Sequence, residues 1–115
     1  MPTLKLQTNV PGDTVTTSDF LKEASKAVAK IIGKPEAYVL VTIQTGVPTT
    51  FAGTEEPAAY GEIISIGGLN PDVNRKLSGA IAELLQKLFN IPANRYYIKF
   101  SDVARPDFGW NGGTF

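Results

Sequence analysis

Two amphipathic stripes of similar length constrain this chain more than any other feature. Each is stopped by a residue that tolerates a left-handed turn and then by a proline. Between Ser18 and Ile32 the apolar residues Phe20, Leu21, Ala24, Val28, Ile31 and Ile32 recur at helical spacing. Thr17 or Ser18 can cap the start of this helix. Gly33 stands where a left-handed C-terminal residue belongs, and Pro35 prevents continuation. The second stripe opens on Asn70 as cap, with Pro71 at the first helical position. Val73, Leu77, Ala80, Ile81, Leu84, Leu85 and Leu88 form its apolar face, Asn90 can end it, and Pro92 blocks extension.

Strand patterns flank both helices. TLKLQTNV (3–10) alternates at Leu4 and Leu6, and PGDT (11–14) is turn chemistry. YVLVTIQ (38–44) is β-branched and reads as a buried strand, GEIISIG (61–67) as the next, and RYYIKFSD (95–102) as the fourth. Residues 46–60 read as a loop with a short irregular strand near Phe51, and FGWNGGTF (108–115) as an aromatic, Gly-rich tail. The order is therefore one β-α-β unit written twice, over roughly 1–45 and 60–102, with Pro35 to Tyr38 echoed by Pro92 to Tyr96. Each crossover should join parallel strands in the right-handed sense. The expected fold is α/β (α+β): a four-stranded mixed sheet with both helices on one face, in a single domain spanning 1–115. The other face would be bare and partly apolar, so another subunit is expected to cover it.

The alphabet narrows the chemistry. Eleven basic and eleven acidic residues balance, and no basic arm is visible, so nucleic acid is not an expected partner. No apolar run approaches the roughly 18 residues that span a bilayer, so no membrane association is expected either. The N-terminus has no charged segment followed by an apolar stretch, and the C-terminus carries no lipidation or peroxisomal address. Cytoplasmic residence is the expectation, with non-classical secretion left open. The chain contains no cysteine and no histidine, which removes thiol chemistry, the usual general base and the commonest metal ligand. Asp13, Asp19, Glu55, Glu56 and Asp102 are scattered without metal-ligand spacing, so neither metal nor cofactor is expected. An acid or base must come from Asp, Glu, Lys, Tyr or the terminal amine.

That elimination directs attention to Pro2. If Met1 is retained, Pro2 is an ordinary amide. If Met1 is trimmed, Pro2 carries a free secondary amine, and a nearby cation with partial burial would keep it neutral. Lys34, at the end of the first helix, reads either as a partner for the helix dipole or as a carboxylate-binding cation beside that amine. In RYYIKF, alternation puts Tyr97 and Lys99 on one strand face. They are either a solvated edge or the polar wall of a pocket shared between subunits. SIGG (65–68) is either an ordinary strand-to-helix turn or a source of binding amides.

Taken together, MP at the start, TNVP (8–11), IIGKPEAYV (31–39), FAGTEEPAA (51–59), SIGG (65–68), NRYYIKF (94–100) and GWNGGTF (109–115) resemble the macrophage migration inhibitory factor family of the tautomerase superfamily, its plant and microbial branches more than the animal cytokines. The resemblance covers nearly the whole chain. It implies a homotrimer whose sheets line a central channel, and keto–enol tautomerase activity with Pro2 as base after Met1 is removed. It implies that Lys34 and the Ile66 backbone bind the substrate carboxylate or carbonyl. Tyr97 would come from the neighbouring subunit, and Tyr38, Phe108, Trp110 and Phe115 would supply apolar walls. Family substrates include phenylpyruvate and hydroxyphenylpyruvate enols and dopachrome esters.

This chain departs from the animal pattern in two places. By the resemblance, Lys99 stands where the animal cytokines have an asparagine that reaches the far end of an aromatic substrate, and a second cation there would either favour a more anionic substrate or weaken hydroxyphenylpyruvate turnover. Ala58 and Gly61 replace a Cys-x-x-Cys pair, so thiol oxidoreductase chemistry has no basis here. The rival expectation is a non-enzymatic, cytokine-like protein that keeps the fold and binds a protein receptor.

Overall fold

A computed structural model describes residues 1–115. The first strand, β1 (Thr3–Thr8), buries Leu4, Leu6 and Thr8 on one side and turns Thr3, Lys5 and Gln7 to the other, as a period of two requires. Three further strands complete the sheet: β2 (Leu40–Gln44), β3 (Ala59–Ser65) and β4 (Tyr96–Asp102), in the order β2-β1-β3-β4. β1 runs parallel to β2, and β3 parallel to β4, so each β-α-β unit closes on its own pair of strands. The two units meet antiparallel across β1 and β3.

Both helices, α1 (Thr14–Ile32) and α2 (Pro71–Phe89), pack on the face that carries Leu4, Leu6 and Ile63. Phe20, Ala24 and Val28 from α1 meet Leu77, Ile81, Leu85 and Phe89 from α2, with the Phe20 and Phe89 rings 5.9 Å apart. Each large aliphatic or aromatic side chain so removed from water contributes about 1.5–3 kcal/mol.

The helix ends follow their capping chemistry. Asn70 caps α2 by accepting from the Val73 N–H at 2.9 Å, and Asn90 leaves it left-handed at φ 55°. Gly33 ends α1 at φ 78°. The start of α1 differs from expectation. The helix begins four residues early, at Thr14, because the Asp13 carboxylate accepts from both the Thr16 N–H (2.8 Å) and its hydroxyl (2.9 Å). Thr17 and Ser18, the two expected caps, lie inside the helix, and the Thr17 hydroxyl donates back to the Asp13 carbonyl.

The strand bounds also shift. β1 stops at Thr8, whose hydroxyl donates to the Ala58 carbonyl at 2.7 Å and accepts from the Val10 N–H. β2 is an edge strand that alternates half-buried and exposed, not a buried one, with Leu40 55% exposed. Its expected first residue, Tyr38, instead ends a 3-10 turn (Glu36–Tyr38), in which the Tyr38 N–H donates to the Pro35 carbonyl. The tail is a hairpin of β5 (Gly109–Trp110) and β6 (Gly113–Thr114) around Asn111 and Gly112, both at positive φ. An Asn-Gly pair is what a two-residue hairpin turn of this kind demands.

The second face of the sheet is open. Register places Lys5, Glu62 and Lys99 in one row across β1, β3 and β4, and Gln7, Tyr60 and Tyr97 in the next. No helix of the chain is long and apolar enough to cross a membrane.

Candidate active site

The start of the chain is positioned by β-sheet hydrogen bonding. Thr3 pairs with Leu40, and the Leu40 N–H donates to the Pro2 carbonyl at 3.0 Å. The Pro2 ring is fully buried. The amine at the head of the full chain belongs to Met1, and Pro2 nitrogen is an amide until Met1 is removed. The Met1 amine opens on a cavity of about 490 Å³, walled by Tyr38, Leu40, Phe108, Trp110 and Phe115.

The aromatic wall is built by the tail. The hairpin folds back so that the Phe115 N–H donates to the Phe108 carbonyl at 3.0 Å. Trp110 then stacks on Phe115, ring centroids 5.3 Å apart and planes 8° from parallel, while Phe108 meets Phe115 edge-on at 5.9 Å. Tyr38, carried by the 3-10 turn, meets Trp110 edge-on at 6.2 Å.

Lys34 supplies the cation. Gly33 reverses the chain, the Lys34 N–H donates to the Ala29 carbonyl at 3.0 Å, and Pro35 directs the backbone away. Burial first, and the Lys34 ammonium second, hold the terminal amine below its ordinary value of 8.0. Lys34 also lies against the turn after β3. A β-carbon on Gly68 would stand 3.5 Å from its Cε and 2.7 Å from Ile32 Cγ2, and Gly68 has φ 79°. That turn is pinned from three directions. The Ser65 hydroxyl donates to the Gly67 carbonyl (2.7 Å), the Gly67 N–H donates to Asp102 Oδ1 (2.9 Å), and the Val103 N–H donates to the Ser65 carbonyl (3.0 Å). Ile66 is held within it.

One protomer therefore gathers the chain terminus, Lys34, Tyr38, Phe108, Trp110 and Phe115 at one end of the sheet. Tyr97 and Lys99 are elsewhere. They stand on β4, two strands from β1, which is roughly 10 Å across the sheet. Tyr97 shares its row with Gln7, four residues beyond Thr3, or about 13 Å along the strand. A larger cavity, of about 630 Å³, lies beside Asn9, Pro48, Glu55 and Phe89, but Glu55 is the only titratable side chain in its wall. No amine faces it, whereas Met1 lines the smaller cavity. Sequence reasoning did not place Leu40 in the wall, nor Asp102 and Ser65 around Ile66. Nothing in the local sequence signals those contacts.

Two β-α-β units on one mixed sheet, with the chain terminus opening on an aromatic cavity beside a lysine, define the tautomerase-superfamily class. Within that class the chain belongs to the macrophage migration inhibitory factor family, whose model matches residues 1–115. It is 44% identical to the macrophage migration inhibitory factor homolog of Trichuris trichiura, over all of both chains. Among solved structures it is similar to the homologue from Prochlorococcus marinus, at 40% identity and TM-score 0.94 over 98% of each chain. The factor from Trichinella spiralis matches at 40% identity and TM-score 0.89, over 98% of this chain and 99% of that one.

Proposed function

We propose that this chain, as one domain over residues 1–115, is a cofactor-free keto–enol tautomerase of phenylpyruvate-type α-keto acids and dopachrome-like compounds, working as a homotrimer with Pro2 as its base once Met1 is removed. One observation carries the reading: Met1, the residue before Pro2, lines an aromatic cavity, and its amine is held below the ordinary value by burial first and by the Lys34 charge second. Removing Met1 moves the amine one residue inward, to the nitrogen of a fully buried ring.

The neutral Pro2 nitrogen takes a proton from the carbon next to the ketone. The C–H bond breaks, an N–H bond forms, and charge moves to the carbonyl oxygen as an enolate. Lys34 and the amide near Ile66 bind the carboxylate and steady the enolate charge, which is electrostatic stabilisation by preorganised donors. The proton then passes from Pro2 to the enolate oxygen, leaving the amine neutral. Tyr38, Phe108, Trp110 and Phe115 exclude water and pack on the substrate ring.

Tyr97 and Lys99 join the site from the neighbouring subunit, across the open sheet face. Ion pairs join Arg75 to Asp72 and Lys87 to Glu23, and Lys99 takes part in neither. Its ammonium is free to favour substrates with a second anionic group. A protein-binding role is a second reading, supported by the exposed aromatic rim of Tyr38 and Trp110.

The test combines mass spectrometry with an absorbance assay on phenylpyruvate enol. The active protein should lack Met1. Pro2→Gly should lower kcat/KM by about 10²-fold or more, the usual scale of general-base catalysis, with oligomer mass unchanged. Full activity in protein that retains Met1 would overturn the reading.

A further inference from the structure

Arg95 precedes β4 and is anchored on both sides, its N–H donating to Pro92 and its carbonyl accepting from the Ala59 N–H, each at 3.0 Å. Its guanidinium reaches a loop far back in the chain. Nε donates to the Pro57 carbonyl (2.9 Å), Nη1 to Phe51 (3.1 Å), and Nη2 to Glu56 (3.0 Å) and Thr54 (3.4 Å). The same guanidinium lies 5.3 Å from the centroid of the Phe51 ring, in cation–π range. Phe51 in turn packs on Tyr97, ring centroids 5.0 Å apart and inclined by 51°.

The loop is held beyond what closure needs. Asn9 donates to the Glu55 and Glu56 carbonyls and accepts from the Ala58 N–H. Between Phe51 and Thr54 the turn places Ala52 at φ 52°, a strained value for a residue with a β-carbon. Such strain persists only where the surroundings over-determine it. The ring that gains from this rigidity is Tyr97, which is 69% exposed and has Phe51 as its aromatic neighbour.

We infer that Arg95 is a positioning residue: through Phe51 it sets the orientation in which Tyr97 is presented to the neighbouring subunit's cavity. The inference rests on the reading that Tyr97 serves a neighbour's site. A guanidinium suits the task because its planar fork can donate to several carbonyls while stacking on a ring, which an ammonium cannot do.

The test uses the intact oligomer and phenylpyruvate enol, with Arg95→Lys, Phe51→Leu and Tyr97→Ala. Arg95→Lys and Phe51→Leu should raise KM about tenfold, the scale on which a small displacement of a binding group acts. The acid limb of the rate profile should not move, because Pro2 and Lys34 are untouched. The Tyr97 ring resonances should shift in both variants. A purely structural role would instead lower the active fraction and leave KM alone. If Tyr97→Ala raises KM while the other two variants keep the wild-type value, the positioning role is overturned and the reading of Tyr97 stands. If Tyr97→Ala leaves KM unchanged, both fall. Should Arg95→Lys fail to fold, Phe51→Leu decides the matter, since it leaves every guanidinium hydrogen bond in place.

Discussion

Lys34 shows how much one side chain can determine. It is the second cause, after burial, that holds the Met1 amine below 8.0, and its Cε lies 3.5 Å from where a β-carbon on Gly68 would stand. The sign of the consequence follows directly. A base works when deprotonated; if burial and Lys34 act on the Pro2 amine as they do on the Met1 amine, the rate rises with pH through its lowered value and then levels off. Removing the cation relieves one of the two causes. Lys34→Gln should therefore move the acid limb to higher pH, part of the way towards the ordinary value, because burial remains. It should also raise KM for a carboxylate substrate. A pH–rate series on phenylpyruvate enol checks both, and an unmoved limb would detach Lys34 from the amine. Pro2 and Lys34 were legible in the sequence as residue types and by family pattern. That burial outweighs Lys34 at the Met1 amine was not, because it depends on which distant residues the fold brings around the terminus.

Elements are placed by local chemistry and adjusted by distant contacts. The Asn70-Pro71 start and the Asn90 stop of α2 were readable because capping is a matter of three or four neighbouring residues. For α1 the sequence offered several hydroxyls and one carboxylate, and the carboxylate won. Backbone and hydroxyl hydrogen bonds from Thr16 hold the Asp13 carboxyl below the usual range. Its folded value lies under its unfolded one, so the cap contributes at neutral pH and fades as pH falls through the lowered value. Wild type should lose melting temperature below about pH 4 more steeply than Asp13→Asn, as thermal melts across that range would show. β2 read as buried because Val39, Val41 and Ile43 are β-branched; its place at the sheet edge is a matter of topology that composition does not carry. The turn after β3 is sensitive to a single substitution. Gly68→Ala would face positive φ and a 2.7 Å clash with Ile32 at once. A destabilisation of about 1–3 kcal/mol is expected, from backbone strain and overpacking. Denaturant melts should record it together with a raised KM, because the displaced turn carries Ile66 and abuts Lys34.

At the scale of the molecule, the open sheet face and the separation of Tyr97 from the cavity pose one question. β2 and β4 form the two edges of the sheet, and the rows that hold Lys99 and Tyr97 are not covered within the protomer. If Tyr97 serves a neighbour, a site needs Pro2 from one chain and Tyr97 from another. Trimers refolded from equal amounts of Pro2→Gly and Tyr97→Ala should then recover activity in roughly a quarter of their sites, given random mixing of a closed assembly. Each parent oligomer would remain impaired. Recovery no greater than the average of the parents would place both residues in the same chain's site. The resemblance suggested this division of labour in advance; the alternation of RYYIKF gave only a shared strand face. What that strand faces depends on partners that no single chain encodes locally.

Met1 and Phe115 wall the same cavity, so residues at opposite ends of this sequence converge on one small space. An affinity handle or fluorescent fusion added at either extremity would crowd that doorway while leaving the core intact. A preparation that melts normally yet turns nothing over should first be checked for what the cloning left behind.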